Sequence, residues 1–173
     1  MQYLGRPNHH GQLDPRAYRQ SLVDMIVGQR PTHLITAELP PAAGQRALEH
    51  AIYRWTRKVN HRYIGRNWAS PHLNDLRMHG VVVFETRGDI LHGHLVVRPP
   101  VRASDFHFEI WAPAAYRWLT GNGKLHVERI KPAPEDLVRV ANYVTKDLFW
   151  SRTTGEVWKF LEELTPRETA PIF

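Results

Sequence analysis

"HGVVVFETRGDILHGHLVVRPP" (residues 79–100) has the pattern of two β-strands joined by a short turn. β-branched and other apolar residues fill both halves, "TRGD" (86–89) supplies turn residues between them, and the proline pair 99–100 ends the second half. The stretch therefore predicts an antiparallel β-hairpin, and a hairpin favours a sheet-containing fold.

The register of this hairpin decides which side chains share a face. With a turn of even length, we expect Val83 to lie opposite His92 and Glu85 to lie diagonally across from it. Glu85, His92 and His94 then project from one face, with His79 as a reserve ligand of the same parity. Two imidazoles and a carboxylate suit a divalent metal ion, although ordinary strand polarity is the alternative explanation.

Composition narrows the chemistry and the partner. The 173 residues include no cysteine, which excludes disulfides and thiolate zinc sites. A net charge of +6, carried mostly by arginine, favours a polyanionic partner, with solubility as the alternative. No apolar stretch approaches the roughly 20 residues that cross a bilayer, and the first residues lack the apolar region of a signal peptide. We therefore expect a cytoplasmic protein without membrane contact.

The remaining patterns predict one α+β domain over residues 1–173, with a central antiparallel sheet and flanking helices. Its parts are an N-terminal helical appendage (1–31), a core (32–148) and a C-terminal helical tail (149–173). The individual predictions are helices at 12–28, 43–63, 104–120 (interrupted by Pro113), 134–150 and 156–164, and strands at 32–39, at both halves of the hairpin and at 124–131.

"VANYVTKDL" (140–148) places a tyrosine and a lysine three residues apart. On a helix, Tyr143 and Lys146 are then neighbours on one face. A tyrosine hydroxyl is a poor nucleophile at neutral pH, and a nearby ammonium stabilises the phenolate or the charge on an attacked phosphate. The pair suits phosphoryl transfer, while an amphipathic ring beside a solvated lysine is the simpler interpretation.

Basic helix surfaces provide candidates for contact with a nucleic-acid backbone. Arg54 and Arg57 belong to the predicted helix at 43–63, and Arg139 belongs to the tyrosine helix. Guanidinium groups bind phosphate oxygens, so we expect these three residues to contribute to nucleic-acid binding, with an ordinary solvated helix surface as the alternative for each of them.

Taken in chain order, these pieces resemble the HUH endonucleases of the Rep class, the nickases that initiate rolling-circle replication. "HGHLVV" (92–97) matches their His-hydrophobic-His strand, "NYVTK" (142–146) their tyrosine helix, and Glu85 their third metal ligand. "HLITAELP" (33–40) is similar to their first motif, and the likeness runs from about Thr32 to Leu148. Gly93 departs from the bulky residue usual there, and Asp147 means that the two-tyrosine form of the helix is not present.

The resemblance implies a ferredoxin-like or RRM-like fold and a transesterification on single-stranded DNA. Glu85, His92 and His94 would hold Mn²⁺ or Mg²⁺, and Tyr143 would attack an origin or hairpin, leaving a 5′-phosphotyrosyl link and a free 3′-hydroxyl. Lys146 would support the tyrosine and the phosphate. We expect a plasmid, phage or viral replication initiator in a bacterial or phage-infected cell, with a separate helicase and host replication proteins as partners.

Three other functions fit parts of the pattern. Single-tyrosine transposases of the same superfamily share the motif order, but generally carry a glutamine in the helix rather than Lys146. A mobilisation relaxase would need Tyr3 or Tyr18, without a supporting lysine. A non-catalytic module for single-stranded nucleic acid would use the basic helix together with aromatic residues such as Trp55 and Trp68.

Overall fold

The computed structural model describes residues 14–41, 43–87, 89–146 and 157–164. None of the helices in these ranges is long and apolar enough to cross a membrane. The elements are α1 (Pro15–Gly28), β1 (His33–Glu38), α2 (Gln45–Ile64), β2 (His79–Arg87), β3 (Ile90–Arg98), α3 (Asp105–Thr120), β4 (Lys124–Arg129), α4 (Pro134–Val144) and β5 (Trp158–Phe160), with 3₁₀ helices at Pro71–Leu76 and Leu161–Glu163.

The strands form one antiparallel sheet in the order β4-β1-β3-β2-β5. From β1 to β4 the chain follows a β-α-β-β-α-β path, and the order β4-β1-β3-β2 is that of a ferredoxin-like sheet. The predicted α+β class, with an antiparallel sheet and flanking helices, is confirmed. β3 lies at the centre, so its side chains meet those of β1 on one side and β2 on the other.

One face of the sheet is covered by α2 and α3. Trp55 is fully buried there, and its indole nitrogen donates to the carbonyl of Ala112 at 3.0 Å. The predicted interruption at Pro113 is wrong, because α3 continues through it to Thr120. Packing of its buried face, which includes Tyr116, against α2 compensates for the missing proline N–H.

The opposite face is covered by α1 and α4. The side chain of Asp14 accepts from the backbone of Arg16 at 2.9 Å, which starts α1 before Pro15. The buried cluster on this face joins both helices to β2 and β3 and consists of Leu22, Val23, Ile26, Val81, Val83, Val96, Ile130, Ala141 and Val144. The segment predicted as an appendage therefore completes the second half of the core.

The C-terminal predictions need correction. The helix predicted to reach residue 150 ends at Val144, and residues 147–156 lie outside the described ranges. The helix predicted at 156–164 is wrong over its described part, where β5 pairs with β2 and a 3₁₀ turn follows. Pairing satisfies the backbone groups of the β2 edge, and Trp158 and Phe160 pack against the apolar cluster of this face. The rest of the predicted tail, residues 165–173, is also outside the described ranges.

The hairpin has a different register from the predicted one. Arg87 pairs with Ile90, so Glu85 lies directly opposite His92, and Val83 lies opposite His94 rather than His92. The centre of the turn lies one residue later in the chain than expected, which shifts the pairing by two residues. Because a shift of two preserves the alternation of side chains, the predicted common face of Glu85, His92 and His94 is confirmed.

Gly93 gives a prediction about packing between β3 and α2. A Cβ added at Gly93 would lie 3.0 Å from Cδ1 of Ile52, closer than an ordinary contact. We expect Gly93→Ala to lower the free energy of unfolding by about 1 kcal/mol through this crowding. Ile52→Val, which deletes the crowded methyl, should cost less stability in the Gly93→Ala protein than in the wild type. Urea unfolding of the four proteins checks this, and additive costs would contradict it.

His33 gives a prediction about pH. It is fully buried, with Nδ1 2.9 Å from the Thr32 hydroxyl, and burial lowers its pKa despite nearby Asp105 and Glu109. Below about pH 6.5 the unfolded chain therefore takes up a proton at His33 that the folded chain does not, which lowers stability. We expect the stability of the wild type relative to His33→Gln to fall between pH 7.5 and pH 5, as measured by urea unfolding.

His79 provides the opposite sign for the same experiment. A hydrogen bond to Glu162 raises the pKa of His79, so its stabilisation is complete below about pH 6.5 and is lost as the pH rises through the folded-state pKa. The stability of the wild type relative to His79→Gln should therefore be greater at pH 5 than at pH 8. Profiles that change in the same direction for the two variants would contradict one of the two assignments, and profiles with both signs reversed would contradict both.

Candidate active site

Three neighbouring strands present a polar row near the β2–β3 turn. Glu38 of β1, His92 of β3 and Glu85 of β2 lie side by side across the sheet, and Thr36 pairs with His94 in the adjacent row. Directly opposed residues of antiparallel strands project to the same side. All five side chains therefore belong to the face that carries α1 and α4.

Each histidine is paired with a different carboxylate. Nε2 of His94 lies 2.8 Å from Oε2 of Glu85, and Nδ1 of His94 lies 3.2 Å from the Thr36 hydroxyl. Nδ1 of His92 lies 3.1 Å from Oε1 of Glu38. The two imidazoles stack with ring centroids 6.0 Å apart and planes 6° from parallel. The contacts on both ring nitrogens fix the orientation of His94.

Burial controls the charge of His94. Only 5% of the residue is exposed, and desolvation lowers its pKa, an effect that outweighs the opposing hydrogen bond and charge of Glu85. The charges of His92 and Lys146 lower it further. His94 is therefore neutral at pH 7, and neutral imidazole is the form that binds metal ions.

Helix α4 brings a tyrosine to this cluster. The Tyr143 ring contacts His94 edge to face, with centroids 5.8 Å apart and planes at 74°, and 45% of Tyr143 is exposed. Nζ of Lys146 lies 4.5 Å from the centroid of the Tyr143 ring. Lys146 was predicted on the helix, but it lies in the turn just beyond it, because α4 ends at Val144. The structure thus brings a solvent-accessible phenol, an ammonium and a buried histidine–carboxylate pair together.

Arg19 of α1 fixes the end of α4 that carries the tyrosine. Its guanidinium donates to the backbone carbonyl of Asn142 at 3.1 Å, to the side-chain oxygen of Asn142 at 3.3 Å and to the Thr145 hydroxyl at 3.4 Å. A cation at a helix C-terminus satisfies unpaired carbonyls and interacts favourably with the helix dipole. Arg19 therefore holds the last turn of α4, which carries Tyr143, against α1.

The donor set fits a divalent cation by its chemistry, although its members are engaged in pairs. Within the described ranges, no group of three or more His, Asp or Glu side chains is arranged to hold a metal ion. Glu85 binds His94 and Glu38 binds His92 instead. Imidazole nitrogens and carboxylate oxygens are nevertheless ligands that Mn²⁺ accepts, and Mg²⁺ accepts the carboxylates. Glu85, His92 and His94 are the residues that would hold the ion, with Glu38 as a further donor.

The sequence interpretation missed Glu38 and Thr36. Alternating polarity along β1 was the available signal, since Thr36 and Glu38 are two residues apart and so share a face. Their place beside the histidines depends on pairing between β1 and β3, which are separated by α2 and β2, and no local pattern determines that register.

Other predicted residues lie away from the cluster. His79 is not a reserve ligand, because it lies six residues from Glu85 along β2, a distance of about 20 Å in an extended strand. It pairs with Arg98 at the far end of the strand, and its Nδ1 lies 2.6 Å from Oε1 of Glu162. Arg54 and Arg57 belong to α2, on the opposite side of the sheet. Arg139 on α4 pairs with Asp136, and Trp55 is fully buried and so cannot stack on a base.

The fold and the cluster together define an α+β protein with a ferredoxin-like sheet, two histidine–carboxylate pairs and an adjacent tyrosine. No protein-family model matches this chain, and neither does any curated protein or solved structure with which it was compared.

The contacts of Arg19 predict a stability effect that is specific to its position. Arg19→Gln should lower the free energy of unfolding by about 1–2 kcal/mol, because it removes charge-assisted hydrogen bonds at the end of α4. Arg16→Gln, an exposed change on the same helix, is the matched control and should stay within about 0.5 kcal/mol of the wild type. Urea unfolding measures both, and equal losses would contradict the role assigned to Arg19.

Proposed function

We propose that this protein nicks and rejoins single-stranded DNA by metal-dependent transesterification, with Tyr143 as the nucleophile. The observation that carries the proposal is the contact of the half-exposed Tyr143 ring with His94, beside the ammonium of Lys146. The motif order that resembles Rep-class HUH endonucleases supports a role in initiating rolling-circle replication of a plasmid, phage or virus.

The proposed step exchanges one phosphate ester for another. The Tyr143 oxygen attacks a backbone phosphorus, a tyrosyl O–P bond forms, and the bond from phosphorus to the 3′ oxygen breaks. The proton lost by tyrosine is balanced by the proton gained by the released 3′-hydroxyl. Because the number of phosphodiester bonds is unchanged, the reverse reaction rejoins the strand without an external energy source. Lys146 stabilises negative charge on the phenolate and on the phosphate.

Glu85, His92 and His94 are the proposed holders of Mn²⁺ or Mg²⁺. Such an ion would supply positive charge that polarises the scissile phosphate. Thr36 holds the ring of His94 from its second nitrogen, and Glu38 does the same for His92. Hydrogen-bonded partners of this kind orient ligand imidazoles in known metal sites.

The proposed partners follow from the same chemistry. The substrate is a single-stranded origin or hairpin, in agreement with a net charge of +6. A separate helicase would expose it, and host replication proteins would extend the free 3′-hydroxyl. The proposed location is the cytoplasm of a bacterial or phage-infected cell. A single-tyrosine transposase would use the same step on different DNA ends.

A non-catalytic module for single-stranded nucleic acid is the second candidate. The observation that favours it is the pairing of Glu38 with His92 and of Glu85 with His94, which occupies the carboxylates. Such a protein would bind single strands through exposed cations and aromatic rings, with no covalent product.

A labelled-oligonucleotide assay separates the candidates. A pool of single-stranded oligonucleotides labelled at the 3′ end is incubated with the protein and Mn²⁺ and run on a denaturing protein gel. The downstream fragment keeps its label and stays attached to Tyr143, so we expect a shifted, denaturation-resistant band. With a 5′ label the same reaction should give a shortened free product. Tyr143→Phe should reduce the adduct at least about 10³-fold, because it removes the attacking oxygen.

Matched variants make the result specific. Tyr63→Phe removes a hydroxyl on α2, away from the cluster, and should leave the adduct unchanged. The double variant His92→Gln/His94→Gln and treatment with EDTA should abolish the adduct while DNA binding remains. Binding without any adduct in the wild type would contradict the nickase and leave the binding module.

A further inference from the structure

Two stretches without acidic residues come together on the face of the sheet that α2 and α3 cover. Residues 50–74 and 110–127 contain no Asp or Glu, although the chain has 17 acidic residues. The first stretch contains most of α2 and the segment after it, and the second contains most of α3 and most of β4. Because α2 packs on α3, as the Trp55–Ala112 hydrogen bond shows, the two stretches form one basic surface.

Two adjoining pockets that share Arg54 and Leu119 lie on this surface, and together they are called the groove here. Its larger part, about 340 Å³, is lined by Arg54, Arg57, Lys58, His61, Trp68 and Leu119. Its smaller part, about 180 Å³, shares Arg54 and Leu119 and extends past His50 to Leu39. Leu39 directly follows Glu38, so the groove begins at the end of β1 where the candidate active site lies on the other face.

Two exposed or half-exposed indoles lie beside cations: Trp68 lines the groove, and Trp118 borders it through its contact with Lys58. Trp118 is 72% exposed, and Nζ of Lys58 lies 4.1 Å from the centroid of its ring. Trp68 stacks with Arg77, whose Nε also donates to the Trp68 carbonyl at 2.8 Å and so holds the loop that carries this indole. Flat aromatic faces among positive charges are the features that bind unpaired bases and their phosphates.

We propose that single-stranded nucleic acid binds along this groove, as a second site on the face of the sheet opposite Tyr143. The helix rise from His50 to His61 gives about 16 Å, which fits about five stacked nucleotides at 3.4 Å each. The lack of acidic side chains favours a polyanion, and the exposed indole of Trp118 favours unpaired bases over a closed duplex. This site goes beyond the proposed nicking function, because the groove binds single strands even if Tyr143 is not a nucleophile.

The test measures binding in the absence of catalysis. A fluorescent 15-nucleotide oligodeoxythymidine is titrated with Tyr143→Phe protein in EDTA, and anisotropy is followed over a range of salt concentrations. Adding Arg54→Gln, Arg57→Gln and Lys58→Gln should reduce the slope of log K against log salt by about 2, at about 0.7 per phosphate contact. Trp118→Ala should weaken binding by about five-fold to about a hundred-fold through loss of stacking.

The control removes the same charge elsewhere. Arg16, Arg98 and Arg102 are exposed and do not line the groove, and their triple change to Gln should alter the slope far less. Equal effects of the two triple variants, or unchanged binding in Trp118→Ala, would overturn the groove as the site. Equally tight binding of a 15-base-pair duplex, or equal competition by polyglutamate, would overturn single-stranded nucleic acid as its ligand. Since Tyr143 is absent throughout, failure here is distinguishable from failure of the nickase.

Discussion

The pairing register of β2 and β3 is the constraint on which the remaining structure depends. With Glu85 opposite His92, even-numbered His92 and His94 face α4, and Gly93 faces α2. A slip of one residue would reverse both sets, placing imidazoles in the apolar layer and a glycine among the polar groups. The absence of a side chain at Gly93 lets Ile52 of α2 approach the strand. The same register therefore determines both the packing of α2 on one face and the polar cluster on the other.

The central position of β3 explains how each histidine obtains its own carboxylate. β1 supplies Glu38 to His92 and β2 supplies Glu85 to His94, so the cluster needs three strands in one order. The same face is closed by α1 and α4, which places Tyr143 against His94. Burial keeps His94 neutral, and neutrality preserves its ability to donate a lone pair. Register, burial and helix docking thus converge on one site, while the opposite face carries a basic groove.

Local signals predicted much of this fold, and long-range pairing accounts for what they missed. Asp14 with Pro15 located the start of α1, and alternation in the hairpin placed Glu85 on the histidine face, because both depend on neighbouring residues. Glu38 was missed because its partner strand lies beyond α2 and β2. The helix predicted at 156–164 was wrong because so short an apolar segment fits either periodicity, and the open edge of β2 decides it.

The proposed reaction depends on one atom, the hydroxyl oxygen of Tyr143, and mass spectrometry of a single peptide tests whether that oxygen is the nucleophile. Trypsin cleaves after Arg139 and Lys146, which releases "VANYVTK" (residues 140–146). After reaction with single-stranded DNA and Mn²⁺, then nuclease and trypsin digestion, this peptide should carry the added mass of a 5′-linked nucleoside phosphate on its tyrosine. The modification on any other tyrosine, or an unmodified peptide from a reaction that has cut its DNA, would contradict the account.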